Sequence, residues 1–457
     1  MNSKIPIYIC LMGILTISLS FHSFAVEGQS LTLDQALPMA LEYDSQVATA
    51  RNNVAKSKLA VEQTVLKTYP QASVVDYQTH DLNGNSSTNT LILTIQETYP
   101  TNFNLYGNKV PSDIEAAFWD QVTGEATLRI TEANVRYNTI SLYIAALEAQ
   151  KNLEYQERVL KDAESALKLA ELQMKQAKIT RPDELQAENT VTNARFNLTK
   201  YRSDYRLALL QLGNQIGITD PETIQLTEVN LPVENFDPVK LKEESLPKRM
   251  ELQQAQISIR QAERTVAQSK NLILPELNLT YYKSDSSSGY GYGIGYNFLS
   301  GDITGNVEDR TNSDTSYYKS SNSNSLFNKD RNNIQMTLTW NLDFGINKKQ
   351  IRQDEIALEN AKKSLDQVRQ NAGWEIDQAI ANYRVASQKV TANQQLLPYY
   401  QKQLELKKLA EQLGSATRQD VNDAEQALLQ AKLQVDLATY DYILTYQKLK
   451  LVTGNLY

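Results

Sequence analysis

The 457-residue chain carries 46 basic and 53 acidic residues, a formal charge of −7, with one cysteine and two histidines. That acidity argues against nucleic acid as a partner. The scarcity of His and Cys removes disulfides, thiolate metal sites and catalytic triads, so no cofactor, metal or catalytic residue is expected.

The N-terminus reads as an export signal. Lys4 precedes an apolar run from Ile5 to Leu19, and Ser23-Phe24-Ala25 supplies a small-residue cleavage site. The run is broken by Pro6, Thr16 and Ser18 and falls short of the ~20 residues a membrane span needs, so a removed signal covering 1–25 is expected. Its loss takes Lys4 and no acid, which moves the formal charge from −7 to −8. It also takes Cys10, the only cysteine, and His22, leaving His80 alone.

Beyond the signal the chain repeats itself. Leu66-Lys67-Thr68-Tyr69-Pro70 is echoed by Leu272-Ile273-Leu274-Pro275, Thr180-Arg181-Pro182-Asp183 by Thr417-Arg418-Gln419-Asp420, and Leu212-Gly213-Asn214 by Thr453-Gly454-Asn455. The offset between copies grows along the chain, and one insertion of about 35 residues accounts for most of the growth. Two repeats are therefore expected. The first, 26–240, holds a helix, a strand pair at 71–97 and long helices over 111–212. The second, 241–457, holds a helix, a strand pair at 276–342 and long helices over 346–452. The insertion is placed at 284–333, a polar loop rich in Ser, Gly, Asn, Asp and Tyr.

The strand pairs alternate. Ile334, Met336, Leu338, Trp340 and Leu342 share one face and Gln335, Thr337, Thr339 and Asn341 the other; Leu277, Leu279 and Tyr281 stand against Asn278, Thr280 and Tyr282. A sheet laid over a soluble core would alternate in the same way. Combined with an export signal and polar loop tips, the pattern favours a barrel with lipid outside and water inside, which makes Trp340, Leu338, Met336, Leu279 and Tyr281 candidate lipid-facing residues. Four strands cannot close alone, and lipid tolerates no open sheet edge, so several copies must share one barrel.

Most of the remainder is helical, with runs of roughly sixty residues, or about 90 Å. Ala146, Ala149, Leu153, Leu160, Ala163, Leu167, Ala170 and Met174 follow three/four spacing, as do Val421, Ala424, Leu428, Ala431, Val435, Ala438 and Tyr442. The fold class that follows is mainly α with a small β part, in two internal repeats.

In this order the chain resembles the TolC family of outer-membrane efflux proteins. The likeness rests on Leu31-Thr32-Leu33-Asp34-Gln35-Ala36-Leu37, the strand entries at Pro70 and Pro275, Trp340-Asn341-Leu342-Asp343-Phe344-Gly345, and Leu413-Gly414 through Asp420-Val421-Asn422-Asp423-Ala424. The resemblance implies a homotrimer in the outer membrane, each chain giving four strands to a twelve-stranded β-barrel and its helices to a periplasmic α-barrel. It further implies a periplasmic adaptor and an inner-membrane pump as partners, in a tripartite efflux or type I secretion system that the duct itself does not energise.

The same resemblance places Asp420 and Asp423 at the constricted periplasmic entrance, where three copies would form two acidic rings. Asp183, Glu184 and Arg418 complete the expected gate. Thr180-x-x-Asp183 and Thr417-x-x-Asp420 also read as capping boxes, so Asp420 has two possible employments. Ala177 stands where the family's first tip turns on glycine, and Arg418 lies two positions from the family's gating arginine. A periplasmic coiled-coil scaffold or adaptor without channel activity is the competing reading; it accounts for the helices and leaves the strand pairs unexplained.

Overall fold

The computed structural model describes residues 30–455 apart from 81–86, 101–104, 108–109, 230–236, 285–289, 310–330, 341 and 343. The expected signal segment, 1–25, lies outside the described residues. In chain order the elements are β1 (Ser30–Leu31), α1 (Leu33–Tyr43), α2 (Ser45–Leu66), β2 (Gln71–His80), β3 (Ser87–Pro100), α3 (Asp113–Lys175) and α4 (Arg181–Ile216). There follow β4 (Gln225–Leu226), α5 (Pro238–Ser245), α6 (Met250–Asn271), β5 (Glu276–Ser284), β6 (Tyr290–Asn297), β7 (Asp302–Asp309), β8 (Arg331–Thr339), α7 (Ile346–Gln412) and α8 (Arg418–Val452). Two compact units result, one built from the chain up to Tyr43 with Leu142–Asn230, the other from Asp44–Ser141 with Leu231 to the end.

In the first unit β1 and β4 pair in parallel, Leu31 opposite Leu226. Two residues per strand make a weak sheet, and the buried Tyr143 of α3 ties it down. Its hydroxyl lies 2.8 Å from the Leu31 carbonyl oxygen and accepts the Thr227 amide at 3.0 Å. Desolvation raises the pKa of that hydroxyl, which stays neutral and able to donate. α3 and α4 pack through Ala163 against Val191 and Ala194, flanked by Val159, Leu160 and Leu167. These small residues let the two rods approach closely, and Ala146, Ala163 and Ala170 of the seam read from sequence are buried.

In the second unit α7 and α8 lie side by side and carry the main core. Ile376, Ala379, Ile380, Tyr383 and Ala386 meet Tyr442, Tyr446, Leu449 and Val452. The Tyr383 and Tyr442 rings stand 5.1 Å apart and their hydroxyls share a 2.7 Å hydrogen bond, so each buried phenol finds its partner in the other. Ile376 is fully buried, which contributes about 1.5–3 kcal/mol. Arg249, also buried, bonds the Val452 carbonyl at 2.9 Å and pairs with Glu375 at 2.9 Å, closing the end of α8 onto α6 and α7.

The internal repeat has a register. α2 and α6 are both 22 residues long and start from N-caps of nearly equal backbone angles, Asp44 (−68°, 122°) and Arg249 (−68°, 121°), 205 positions apart. Past the strands the offset is 237: Thr180 and Thr417 cap α4 and α8, and Gly217 and Gly454 are the left-handed residues that stop them. Gly454, expected to match Gly213, thus corresponds to Gly217. Gly213 lies inside α4, where a Cβ would meet Pro221 at 2.5 Å, a packing demand rather than a turn.

The 32-residue growth in offset falls between β5 and β8, where the sequence was read as a loop. There the structure departs from expectation: within 284–333 lie two further strands, β6 and β7. The sheet has six strands in the order β2-β3-β7-β6-β5-β8, with every neighbour antiparallel, where four were expected from each chain. Glycine at alternate positions of Tyr290–Asn297 hid the strand by composition, because Gly and Tyr together resemble a linker. The rest of the expected loop, 285–289 and 310–330, lies outside the described residues.

Candidate functional site

Residues opposed across a ladder point to the same side, so the register assigns every described strand residue to a face. Leu277, Leu279 and Tyr281 of β5 oppose Leu338, Met336 and Ile334 of β8. Leu279 and Tyr281 also oppose Tyr296 and Ile294 of β6, which with Tyr292 oppose Ile303, Gly305 and Val307 of β7. Val307 opposes Ile95 of β3, and Ile95 and Leu93 oppose Ala72 and Val74 of β2. All of these stand on one face, and most of its large side chains are exposed: Met336 is 72% exposed, Leu338 65% and Ile294 56%. Trp340, just beyond β8, is 61% exposed, whereas Tyr281 is partly covered by the Tyr292 ring 6.4 Å away. The register also assigns the charged residues Glu97, Lys283, Asp76 and Asp309 to this face.

The other face is polar. It carries Asn278 and Thr280, Thr304 and Asn306, Thr94, Gln96 and Thr98, and Gln335, Thr337 and Thr339, with Val75, Tyr77, Ile92 and Tyr282 as apolar or aromatic exceptions. Gly293 and Gly295 also belong here. A Cβ on Gly293 would strike Asn306 Oδ1 at 2.5 Å and the Tyr282 ring at 2.8 Å, and one on Gly295 would strike Thr304 Oγ1 at 2.8 Å. Side chains from both neighbouring strands thus lie over β6, a close approach that glycine permits.

After α3 and again after α7 the chain turns in one pattern. After α3, the Lys178 amide bonds the Gln173 carbonyl and the Ala177 amide bonds that of Met174, both at 2.9 Å. After α7, Ser415 reaches Ala410 at 2.8 Å and Gly414 reaches Glu411 at 3.0 Å. Both are Schellman turns, with the residue at C′ in the left-handed region: Ala177 at φ 52° and Gly414 at φ 72°. An L-residue there costs roughly 1 kcal/mol, so the missing glycine of the first tip is borne as strain and the turn itself survives.

The next helices begin on the expected caps. The Thr180 amide and hydroxyl donate to Asp183 Oδ2 at 2.8 and 2.6 Å. Those of Thr417 donate to Asp420 Oδ2 at 2.8 and 2.7 Å, and the Asp420 amide returns a bond to Thr417 Oγ1 at 3.1 Å. The Thr180 hydroxyl, then its amide, lowers the pKa of Asp183. Asp420 is lowered to about 2 by the Thr417 hydroxyl, then its amide, then Lys407, whose ammonium lies 3.2 Å from Oδ1. Asp420 is therefore a carboxylate at any physiological pH.

The other expected gate residues have local partners. Arg181 pairs with Glu184, and Arg418 lies 3.5 Å from Glu411, back across its own turn. Asp423 is exposed and accepts the Gln419 side-chain amide at 2.8 Å. Asp420 and Asp423 come together on the first turns of α8, while Asp183 and Glu184 stand at the start of α4 in the other unit. Lys407 was missed in sequence: thirteen residues before Asp420 and on the opposite side of the turn, it gives no local spacing signal. Among the described residues no group of His, Cys, Asp or Glu is arranged to hold a metal, and no helix is long and apolar enough to cross a membrane.

A six-stranded sheet with one apolar and one polar face, in a chain with helices of 63 and 67 residues, belongs to a known architecture. Residues 310–455 match the family described as outer membrane efflux protein. VceC of Vibrio cholerae, an outer membrane protein, superposes with a TM-score of 0.68 at 16% identity, over 92% of this chain and 96% of that one. The CmeC outer membrane channel of Campylobacter jejuni gives 0.65 at 14% identity over 93% and 86%. The open state of the MtrE outer membrane channel of Neisseria gonorrhoeae gives 0.64 at 15% over 92% and 88%. No curated protein sequence matches the chain. Over residues 310–455 the chain is similar to the outer membrane efflux protein family. Its members are channels of the outer membrane, with an α-barrel and a β-barrel, and this protein shares their fold.

Proposed function

We propose that the chain is a passive exit duct of a tripartite efflux or type I secretion system. In this reading three copies close one β-barrel through the outer membrane, and their long helices form an α-barrel reaching into the periplasm. An adaptor meets the helical tips and an inner-membrane pump supplies the drive. The observation that carries the reading is the two-faced sheet. An exposed apolar face that continues across all six strands would be an aggregation hazard in water and is what a barrel needs against lipid. Trp340, Leu338, Met336, Leu279 and Tyr281 then belong to the lipid side, and Thr304, Asn306 and Thr337 to the water-filled lumen. The strand edges β2 and β8 need a second copy, since unpaired backbone groups cannot face hydrocarbon.

The helical tips form the periplasmic entrance in this reading. Asp420 serves as cap and pairs with Lys407 through Oδ1, so the exposed Asp423 is the carboxylate that meets a passing cation. Asp183 and Glu184 at the start of α4, and Arg418 at the start of α8, are the remaining gate candidates. Membrane fractionation tests the reading: the protein is expected in outer-membrane fractions as a trimer that dissociates only on heating. Recovery as a periplasmic, soluble monomer would refute it and favour the coiled-coil scaffold.

A further inference from the structure

The hairpin β6–β7 sits where the chain was expected to loop out of the sheet. We propose that β6 and β7 are membrane-spanning strands, so that each chain gives six strands, and three chains eighteen, to the shared barrel. The proposal rests on the trimeric-duct reading above and changes its dimensions.

The first argument is depth. β5 leaves α6 at Glu276 and β8 precedes α7 from Thr339, and these residues are partners, so they mark the rim nearest the helices. β6 runs beside β5 from Ser284 to Asn278, at the level of the strands already assigned to the wall. The turn from Asn297 to Asp302 therefore lies at the helix-side rim. It is built in there: Asn297 Nδ2 donates to Glu276 Oε1 at 2.7 Å, and the Phe298 amide bonds the Leu277 carbonyl at 2.9 Å. Short turns on the periplasmic side and longer connections outside are how such barrels are strung.

The second argument is the face pattern. Tyr292, Ile294, Tyr296, Ile303 and Val307 continue the apolar face without a break between β5 and β3, while Gly293, Gly295, Thr304 and Asn306 continue the polar one. An external hairpin wetted on both sides has no need of that register. The polar side is also close-packed over the glycines by Tyr282, Asn306 and Thr304. Without the hairpin, the β3 edge that bonds β7 from Leu93 to Pro100 would stand bare.

The third argument is closure. Six antiparallel strands leave β2 and β8 running in opposite senses, so β8 of one copy pairs antiparallel with β2 of the next at all three seams. Barrel diameter grows roughly linearly with strand number, so eighteen strands enclose a barrel about 1.5 times as wide as twelve.

Cysteine labelling in native outer membranes tests this in a Cys10→Ser background. Ile294→Cys, Val307→Cys, Asn306→Cys and, as a reference on β8, Met336→Cys are each tagged with bimane, and quenching is read with spin-labelled lipid and with a water-soluble quencher. Quenching by lipid at 294, 307 and 336, and by the water-soluble agent at 306, is expected. Quenching of 294 and 307 from water, with 336 still quenched by lipid, would make the hairpin an external loop and overturn the proposal while the duct reading stands. Loss of lipid quenching at 336 as well would overturn both. Positions 294 and 307 lie on different strands, so either one supplies the readout should the other variant fail to assemble.

Discussion

At the residue scale the two tips form a natural comparison, because they share a Schellman turn and a threonine cap and differ at C′. Gly414 takes its left-handed φ freely, and Ala177 takes nearly the same φ against its Cβ. Relief and imposition of that strain are predicted to be near mirror images: Ala177→Gly stabilises the first tip, and Gly414→Ala destabilises the second, each by about 1 kcal/mol. Amide hydrogen exchange at 173–180 and 410–417 reads both, with slower exchange in the first variant and faster in the second. No change in either would mean that the turns relax without cost. The capping residues were legible in sequence because Thr-x-x-Asp is a local pattern. The glycine caps were not, because glycine reports freedom without saying whether the backbone uses it, and Gly213 uses its lack of Cβ for contact with Pro221 instead.

At the scale of elements, the helices were legible over long stretches because the three/four spacing of Ala and Leu survives along each rod, and Val421, Ala424, Ala438 and Tyr442 of the α8 seam are buried. The β8 alternation was legible for the same reason, its period of two running unbroken from Ile334 to Thr339. β6 also alternates, yet its partner in the alternation is glycine, which lowers strand propensity while a close-packed wall requires it. Face assignment makes a sharp prediction on one strand. Met336→Arg puts a charge on the apolar face at a predicted cost of about 2–4 kcal/mol near mid-membrane, whereas the adjacent Thr337→Arg puts it in water at little cost. The yield of heat-resistant trimer measures the difference; equal tolerance at the two positions would contradict the two-faced sheet.

For the whole molecule, the repeat, the helical rods and the strand pairs together point to one design. A sheet that cannot close by itself is joined to helices far longer than one globular core requires. The proposed homotrimer, adaptor and pump were not legible from the residues of one chain, since each is a surface that another molecule completes. Cargo is equally hidden, because in the proposed role a passive duct shapes a hole and carries few residues that grip what passes.

Conductance is the most direct measurement of the central claim, and planar bilayers holding the detergent-extracted trimer supply it. Discrete cation-selective steps are predicted, blocked by a trivalent cation added from the helical side. The block should be lost in the Asp420→Ala/Asp423→Ala double variant, with the steps themselves retained. A folded trimer that inserts and never conducts would contradict the account.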